Sequence, residues 1–342
     1  MAGGKVGWRA ATLACFLLAS GMERTVAQPA PQSHTEAVAV AALDEQLRAY
    51  GVWFARLFAA YQPAMDVAKE LAQLLSNAGP VDQAWQQRLE ALLERYHGLA
   101  EQIDAQLASF DTPDFPALRL PVDLRTGALL REARRLVHDV GAYSDSLHDF
   151  SEAVRRNDPQ ARARAQQATL ENARALIEAQ LLSERARLVI TPRGSSAWEA
   201  GSLRIEFFQA GLDLMQAALG RQNPLLAIAF NERADRVAQF TRDGRAKLDT
   251  EIRNIEAMQV RIDAARRPTE SAMARRIVEA MHRYREGFEL YANFEALLRN
   301  MAALLRGPRA EGDLIRLAGQ YTALGVRIDR ASQDLVEALA QR

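Results

Sequence analysis

Apolar residues recur along this chain at steps of three and four, and runs of strict alternation are short and scattered. That spacing is the period of an α-helix and predicts an all-α fold. Over residues 81–107, Trp85, Leu89, Leu92, Tyr96, Leu99 and Ile103 fall on one line at alternating steps of four and three. A second line runs through Met273, Ile277, Met281, Tyr284, Phe288, Tyr291, Leu298 and Met301. Stripes of this spacing let long helices lie side by side.

Proline, glycine and asparagine cut the helical pattern. The sharpest breaks are Asn77-Ala78-Gly79-Pro80, Asn157-Asp158-Pro159 and Gln222-Asn223-Pro224. In the last two, Asp158 and Asn223 are placed to cap helices whose first residue is proline, where the missing N–H costs nothing. Further breaks are 109–123, Thr191 to Ser196, Arg267-Pro268-Thr269 and Arg306-Gly307-Pro308. Ser196-Ala197-Trp198-Glu199 reads as a capping box. The breaks leave eight helices, near 36–76, 81–108, 124–156, 159–190, 197–220, 224–266, 269–305 and 312–340.

Short turns between long helices predict antiparallel neighbours. The expected architecture is an elongated antiparallel bundle of four α-hairpins. Residues 28–35 are a flexible mature N-terminus, 36–108 the first hairpin and 124–342 the other three in one continuous domain. A division into two domains would fall at 109–123 or near Thr191-Pro192-Arg193-Gly194. Pro80, Pro159, Pro224 and Pro308 open similar hairpins, but their uneven spacing lacks the fixed period of a repeat array. Residues 109–123 are different: Pro113, Pro116 and Pro121 forbid a helix. Phe115, Leu118, Leu120 and Val122 suit an extended strap laid over helix surfaces.

The N-terminus carries Lys5 and Arg9, then an uncharged run from Ala10 to Gly21. That core is shorter than the roughly 20 apolar residues a membrane span needs, and it has the layout of a secretory signal peptide. Thr25-Val26-Ala27 places the cut after Ala27, so residues 1–27 are expected to be removed. Leu13-Ala14-Cys15 partly matches a lipidation motif. The apolar run continues past Cys15 through Phe16-Leu17-Leu18, where a lipidated cysteine would want a polar tether. Removing Lys5, Arg9 and Arg24 against Glu23 leaves 315 residues of net charge −2 with no cysteine. The mature chain is therefore expected in the periplasm or secreted, with no disulfide framework and no membrane span. The full chain has zero formal net charge, which argues against a nucleic-acid partner. Of its 43 basic residues only Lys5, Lys69 and Lys247 are lysine, a bias that a high-GC genome explains.

Candidate chemistry is sparse. Glu94-Arg95-Tyr96-His97 and Glu279-Ala280-Met281-His282 have the Glu-x-x-His spacing of helical di-metal sites. Each glutamate, however, lies about 200° around its helix from the apolar stripe, which points Glu94 and Glu279 to solvent. His138 and His148 are three turns apart, too far to share a metal ion. Gly194-Ser195-Ser196 lacks a nucleophile-elbow frame, and no phosphate-binding glycine loop occurs. No catalytic residue, cofactor or metal ligand is assigned.

Two features suit binding. Tyr50, Trp53, Phe54, Leu57, Phe58 and Tyr61 form one aromatic stripe, and Tyr284, Phe288, Tyr291 and Phe294 form another. If the bundle opens between them, Trp53, Phe54, Phe58, Tyr284, Phe288 and Tyr291 would line an apolar pocket; otherwise they are core. Second, Arg261, Arg266, Arg267, Arg275, Arg276, Arg283 and Arg285 face only Asp263, Glu270 and Glu279 over residues 261–285, a local charge of +4. Arg261, Arg266, Arg267, Arg275 and Arg276 are the candidate contacts for an anionic envelope surface or an envelope protein. The leading expectation is an exported bacterial helical protein that acts through protein–protein or envelope contacts and not by catalysis. The second is a soluble ligand-binding bundle, and the third a helical metal-binding protein.

Overall fold

The computed structural model describes residues 34–76, 82–218, 225–265, 268–306, 316–317, 320–321, 323–325 and 327–328. The expected signal peptide 1–27 with Cys15, residues 28–33, the turn at 77–80, the Asn223-Pro224 cap, Arg266, Arg267, Gly307-Pro308 and most of the 312–340 helix lie outside the described residues. Within them the protein is all-α, with no strand. Seven α-helices are described in full: α1 (His34–Ser76), α2 (Gln83–Ala108), α3 (Thr126–Arg155), α4 (Pro159–Ile190), α5 (Ser196–Ala218), α6 (Leu226–Ala264) and α7 (Pro268–Arg306). Helical residues within 316–328 belong to the expected eighth. Most boundaries fall within three residues of the expected ones. His34 and Thr35, expected in the flexible start, already belong to α1.

Capping explains several of these ends. The Asp82 carboxylate accepts from the Trp85 N–H at 2.8 Å and opens α2. Asp158 accepts from Gln160 and Ala161 N–H at 3.0 and 2.9 Å, so Pro159 begins α4 as the sequence predicts. The start of α5 differs from the expected capping box. Ser195 is the capping hydroxyl, accepting from the Trp198 N–H at 3.1 Å. Glu199 does not fold back as a cap, because Lys247 holds it.

The described chain divides into two compact units. One takes residues 34–190 and 211–218; the other takes 191–210 and the described residues from 225 onward. Residues 124–190 and 191–210 fall in different units, and α5 divides between them after Ala210. The cause is packing: α3 and α4 lie against α1 and α2.

In the first unit α1–α2 and α3–α4 are antiparallel hairpins around one apolar core. Tyr50, Leu57, Leu71, Leu89, Leu107 and Leu147 are almost fully buried there. The expected α2 stripe is the observed one: Trp85, Leu89, Tyr96 and Ile103 are buried, with Leu92 and Leu99 half-buried. Gly141 on α3 makes this approach close, since a Cβ there would stand 3.3 Å from the Tyr96 hydroxyl oxygen.

The segment between α2 and α3 is a strap, with two 3-10 turns at Pro116–Leu118 and Val122–Leu124. Phe115 and Leu120 are buried and Leu118 packs against the core, as expected. Val122 is a correction. It is 71% exposed and Leu124 is buried instead, because the second 3-10 turn breaks the alternation assumed for an extended strap.

The second unit is built on the α6–α7 hairpin. Ion pairs Asp235–Arg299, Arg245–Glu289 and Asp249–Arg285 hold one constant antiparallel register along it. The first part of α5 runs antiparallel to α6, with Glu199 against Lys247 and Glu206 against Arg233. Phe207, Phe294 and Tyr321 stack together in its core. The expected α7 stripe holds from Met281 onward, but Met273 is 59% exposed while Ser271 and Ala274 are buried. A stripe projected over eight turns drifts, because 3.6 residues per turn and a 3.5 spacing part by about 20° per heptad.

Candidate interaction surface

The aromatic candidates fall into different units. Trp53, Phe54 and Phe58 are on α1 in the first; Tyr284, Phe288 and Tyr291 are on α7 in the second. Trp53 and Phe54 are buried, and Phe58 is half-buried with the Arg187 guanidinium 5.7 Å from its ring centre. The strap takes up their polar atoms and ring edges. The Trp53 indole N–H donates to the Asp111 carbonyl at 3.0 Å, and the Tyr50 hydroxyl donates to the Leu124 carbonyl at 3.1 Å. Phe110 meets Trp53 and Phe115 meets Tyr50 edge to face. The Ala117 N–H donates to the Gln46 side chain at 2.8 Å. These contacts make the α1 aromatics an anchor for the strap.

A cavity does lie beside this stripe, between Phe54, Leu57, Tyr61, Leu129, Leu136 and Ser183. Its free volume is about 10 Å³, which is room for one water molecule. Tyr61 and Ser183 hydroxyls meet there at 2.7 Å. Burial raises the Tyr61 phenol far above its ordinary range, against smaller lowering effects of Ser183 and Arg187. Tyr50 and Tyr143 are raised likewise by burial, and Tyr96 is pushed up to about 12, again mainly by burial. All four phenols are therefore neutral hydrogen-bonding groups at ordinary pH. In the second unit Phe288 is fully buried and Tyr284 meets it edge to face. Gly244 on α6 creates the space: a Cβ there would overlap the Phe288 ring.

Glu94 and His97 are exposed on α2 of the first unit, and Glu279 and His282 are exposed on α7 of the second. The His97 ring nitrogen Nδ1 lies 2.8 Å from its own helix's Leu93 carbonyl. Among the described residues no three His, Cys, Asp or Glu side chains gather to hold a metal. Nor is any described helix long and apolar enough to cross a membrane.

Sequence reasoning missed the ionic interior of the second unit. Half-buried Glu206 accepts from Arg233 at 2.6 Å and from Arg236 at 2.7 and 3.1 Å. Buried Glu199 accepts from Lys247, and Glu251 accepts from both the N–H and the hydroxyl of Ser196 at 3.0 and 2.5 Å. Each cation satisfies a carboxylate that burial would otherwise penalise heavily. The scarcity of lysine was the one available hint, since Lys247 stands alone beyond Lys69.

Of the basic candidates, Arg261, Arg275 and Arg276 lie among the described residues, toward the loop end of the α6–α7 hairpin. α5 begins level with Glu251, so the rest of α6 to Ala264, about 20 Å of helix, runs past the start of α5. From Glu256 to Ala265 only Gln259 and Ile262 are even half-buried. Arg261, Arg275, Arg276, Arg283 and Arg285 are all exposed, and Arg285 pairs with Asp249 at 3.3 Å. Among them stand Met258, Val260 and Met273, at 49%, 69% and 59% exposure. The sequence pointed to the arginines but not to these apolar neighbours, because Met273 was read as core. No family model, curated protein or solved structure matches the chain.

Proposed function

We propose that this is an exported bacterial helical protein that works through contacts of its surface with an envelope component, and that it is not a catalyst. The observation that carries the reading is the end of the α6–α7 hairpin, where large apolar side chains and arginines are exposed together. Isolated exposed apolar residues are ordinary, but three of them close together among exposed arginines near one hairpin end support a contact reading. The charged N-terminal start, short apolar core and small-residue cleavage pattern support export to the periplasm or beyond. The Glu-x-x-His pairs are exposed and lie in different units, and the cavity beside the α1 aromatics has room for one water molecule.

The test is to express the full chain in a bacterium with a cell envelope, sequence its N-terminus and wash the envelope fraction with rising salt. The reading expects a mature N-terminus at Gln28 and an envelope-retained pool released by high salt. An uncut chain in the cytoplasm would overturn export, and a freely soluble periplasmic chain would overturn envelope contact.

A further inference from the structure

The constant register of α6 against α7 sets residues 257–262 level with 272–277. This band is two helices wide and about 9 Å tall. It contains Arg261, Arg275 and Arg276 and no carboxylate, so its charge is +3. Carboxylates stand immediately outside it on both sides: Glu256 and Glu279 toward the body, Asp263 and Glu270 toward the apex. Ala274 is buried, and Gln259, Ile262, Ala272 and Ile277 are partly buried. The exposed side chains are Ala257, Met258, Val260, Arg261, Met273, Arg275 and Arg276. The band is thus a collar of methionine, valine and arginine around the hairpin.

We infer that this collar is clasped by an acidic cleft on a partner protein, with Met258, Val260 and Met273 against its walls and its carboxylates meeting Arg261, Arg275 and Arg276. The inference rests on the contact reading above and names its partner class. Charge is the first argument: a collar of +3 without a carboxylate complements an acidic surface. Composition is the second, since methionine and arginine are enriched in protein interfaces. Geometry separates a cleft from a flat surface. Met258 and Val260 are two residues apart, about 200° around α6, so one flat face cannot cover both. Order along the hairpin separates a protein from a lipid layer. Asp263 and Glu270 lie nearer the apex than the collar, so dipping the collar into lipid would drive carboxylates in first, at high cost.

The test places the photo-crosslinking residue p-benzoylphenylalanine singly at 258, 260 and 273, with exposed controls at Glu90 and Asp149, in the full chain expressed in its native host. Each variant's helix content and melting temperature are checked against the parent. The inference expects all three collar positions to join one and the same polypeptide, through peptides rich in Asp and Glu, and neither control to do so. It expects R275E with R276E to lower the yield at least about tenfold. Crosslinking from only one of 258 and 260 would overturn the cleft in favour of a flat patch. Silent collar positions, with binding to phosphatidylglycerol vesicles that R275E and R276E abolish, would overturn the protein partner in favour of lipid. Silent collar positions without vesicle binding but with salt-sensitive envelope retention would overturn the cleft and leave the contact reading standing. Loss of envelope retention in the parent would overturn both.

Discussion

The two units bury their polar groups with different emphasis, although Glu184 pairs with Arg187 in the first and the Tyr321 hydroxyl donates to the Phe207 carbonyl in the second. In the first, neutral donors reach backbone carbonyls: Tyr50 to Leu124, Trp53 to Asp111, Trp85 to Leu74 and Tyr96 to Val137. In the second, carboxylates bind cations: Glu206 with Arg233 and Arg236, and Glu199 with Lys247. Both units are helical with aromatic cores, yet they should fail differently. A neutral hydrogen bond contributes about 1 kcal/mol net. Removing one partner of a buried ion pair strands a charge and costs about 3–5 kcal/mol.

Alkali should have the largest effect on the first unit. Tyr50, Tyr61, Tyr96 and Tyr143 all lie in the first unit, and burial raises each phenol above its ordinary value of 10.0. The unfolded chain therefore releases these protons more readily than the folded one. The stability they contribute is whole below pH 10 and is lost as pH rises through the folded values, about 12 for Tyr96. Beyond Trp8, the tryptophans are Trp53 and Trp85 in the first unit and Trp198 in the second. A W198F variant should show the first unit's fluorescence transition between pH 10 and 12.

Next in size is Glu206→Ala. It removes the carboxylate that meets buried Arg233 and should cost about 3–5 kcal/mol in urea unfolding followed at Trp198. Replacing Glu206 and Arg233 together by Met should recover much of that loss. Equal losses in the single and double variants would mean that packing and not charge sets the cost. Tyr50→Phe removes one neutral donor to the strap and should cost about 1 kcal/mol, while making cleavage by protease within 109–125 faster. Glycines give the sharpest contrast. Gly244→Ala drives a methyl into Phe288 and should destabilise by about 1–3 kcal/mol. Gly98→Ala meets nothing within 4 Å in the middle of exposed helix and should stabilise by about 0.5–1 kcal/mol.

Helices and their ends were legible in the sequence because apolar period, proline and capping residues act locally. Asp158 before Pro159 is the clearest case, and the α2 stripe from Trp85 to Ile103 is another. What depended on distant partners was not legible. Glu199 looked like a capping residue until α6 brought Lys247 to it. Glu206 and Arg233 looked like surface charges because their neutralising partner is more than twenty residues away. Val122 and Met273 were misplaced for a simpler reason: each was projected along an assumed period that a 3-10 turn or helical drift breaks. The candidate surface was half legible. Its arginines are visible as local charge, but the exposed Met258, Val260 and Met273 look in sequence like any other core residues.

The central claim is that the end of the α6–α7 hairpin makes the contacts. Reversing Arg261, Arg275 and Arg276 to Glu, and measuring envelope retention beside thermal unfolding of the same protein, tests it most directly. The account predicts retention lost with a melting temperature within about 2 °C of the parent, as expected for exposed surface substitutions. Retention unchanged in a folded protein would contradict it.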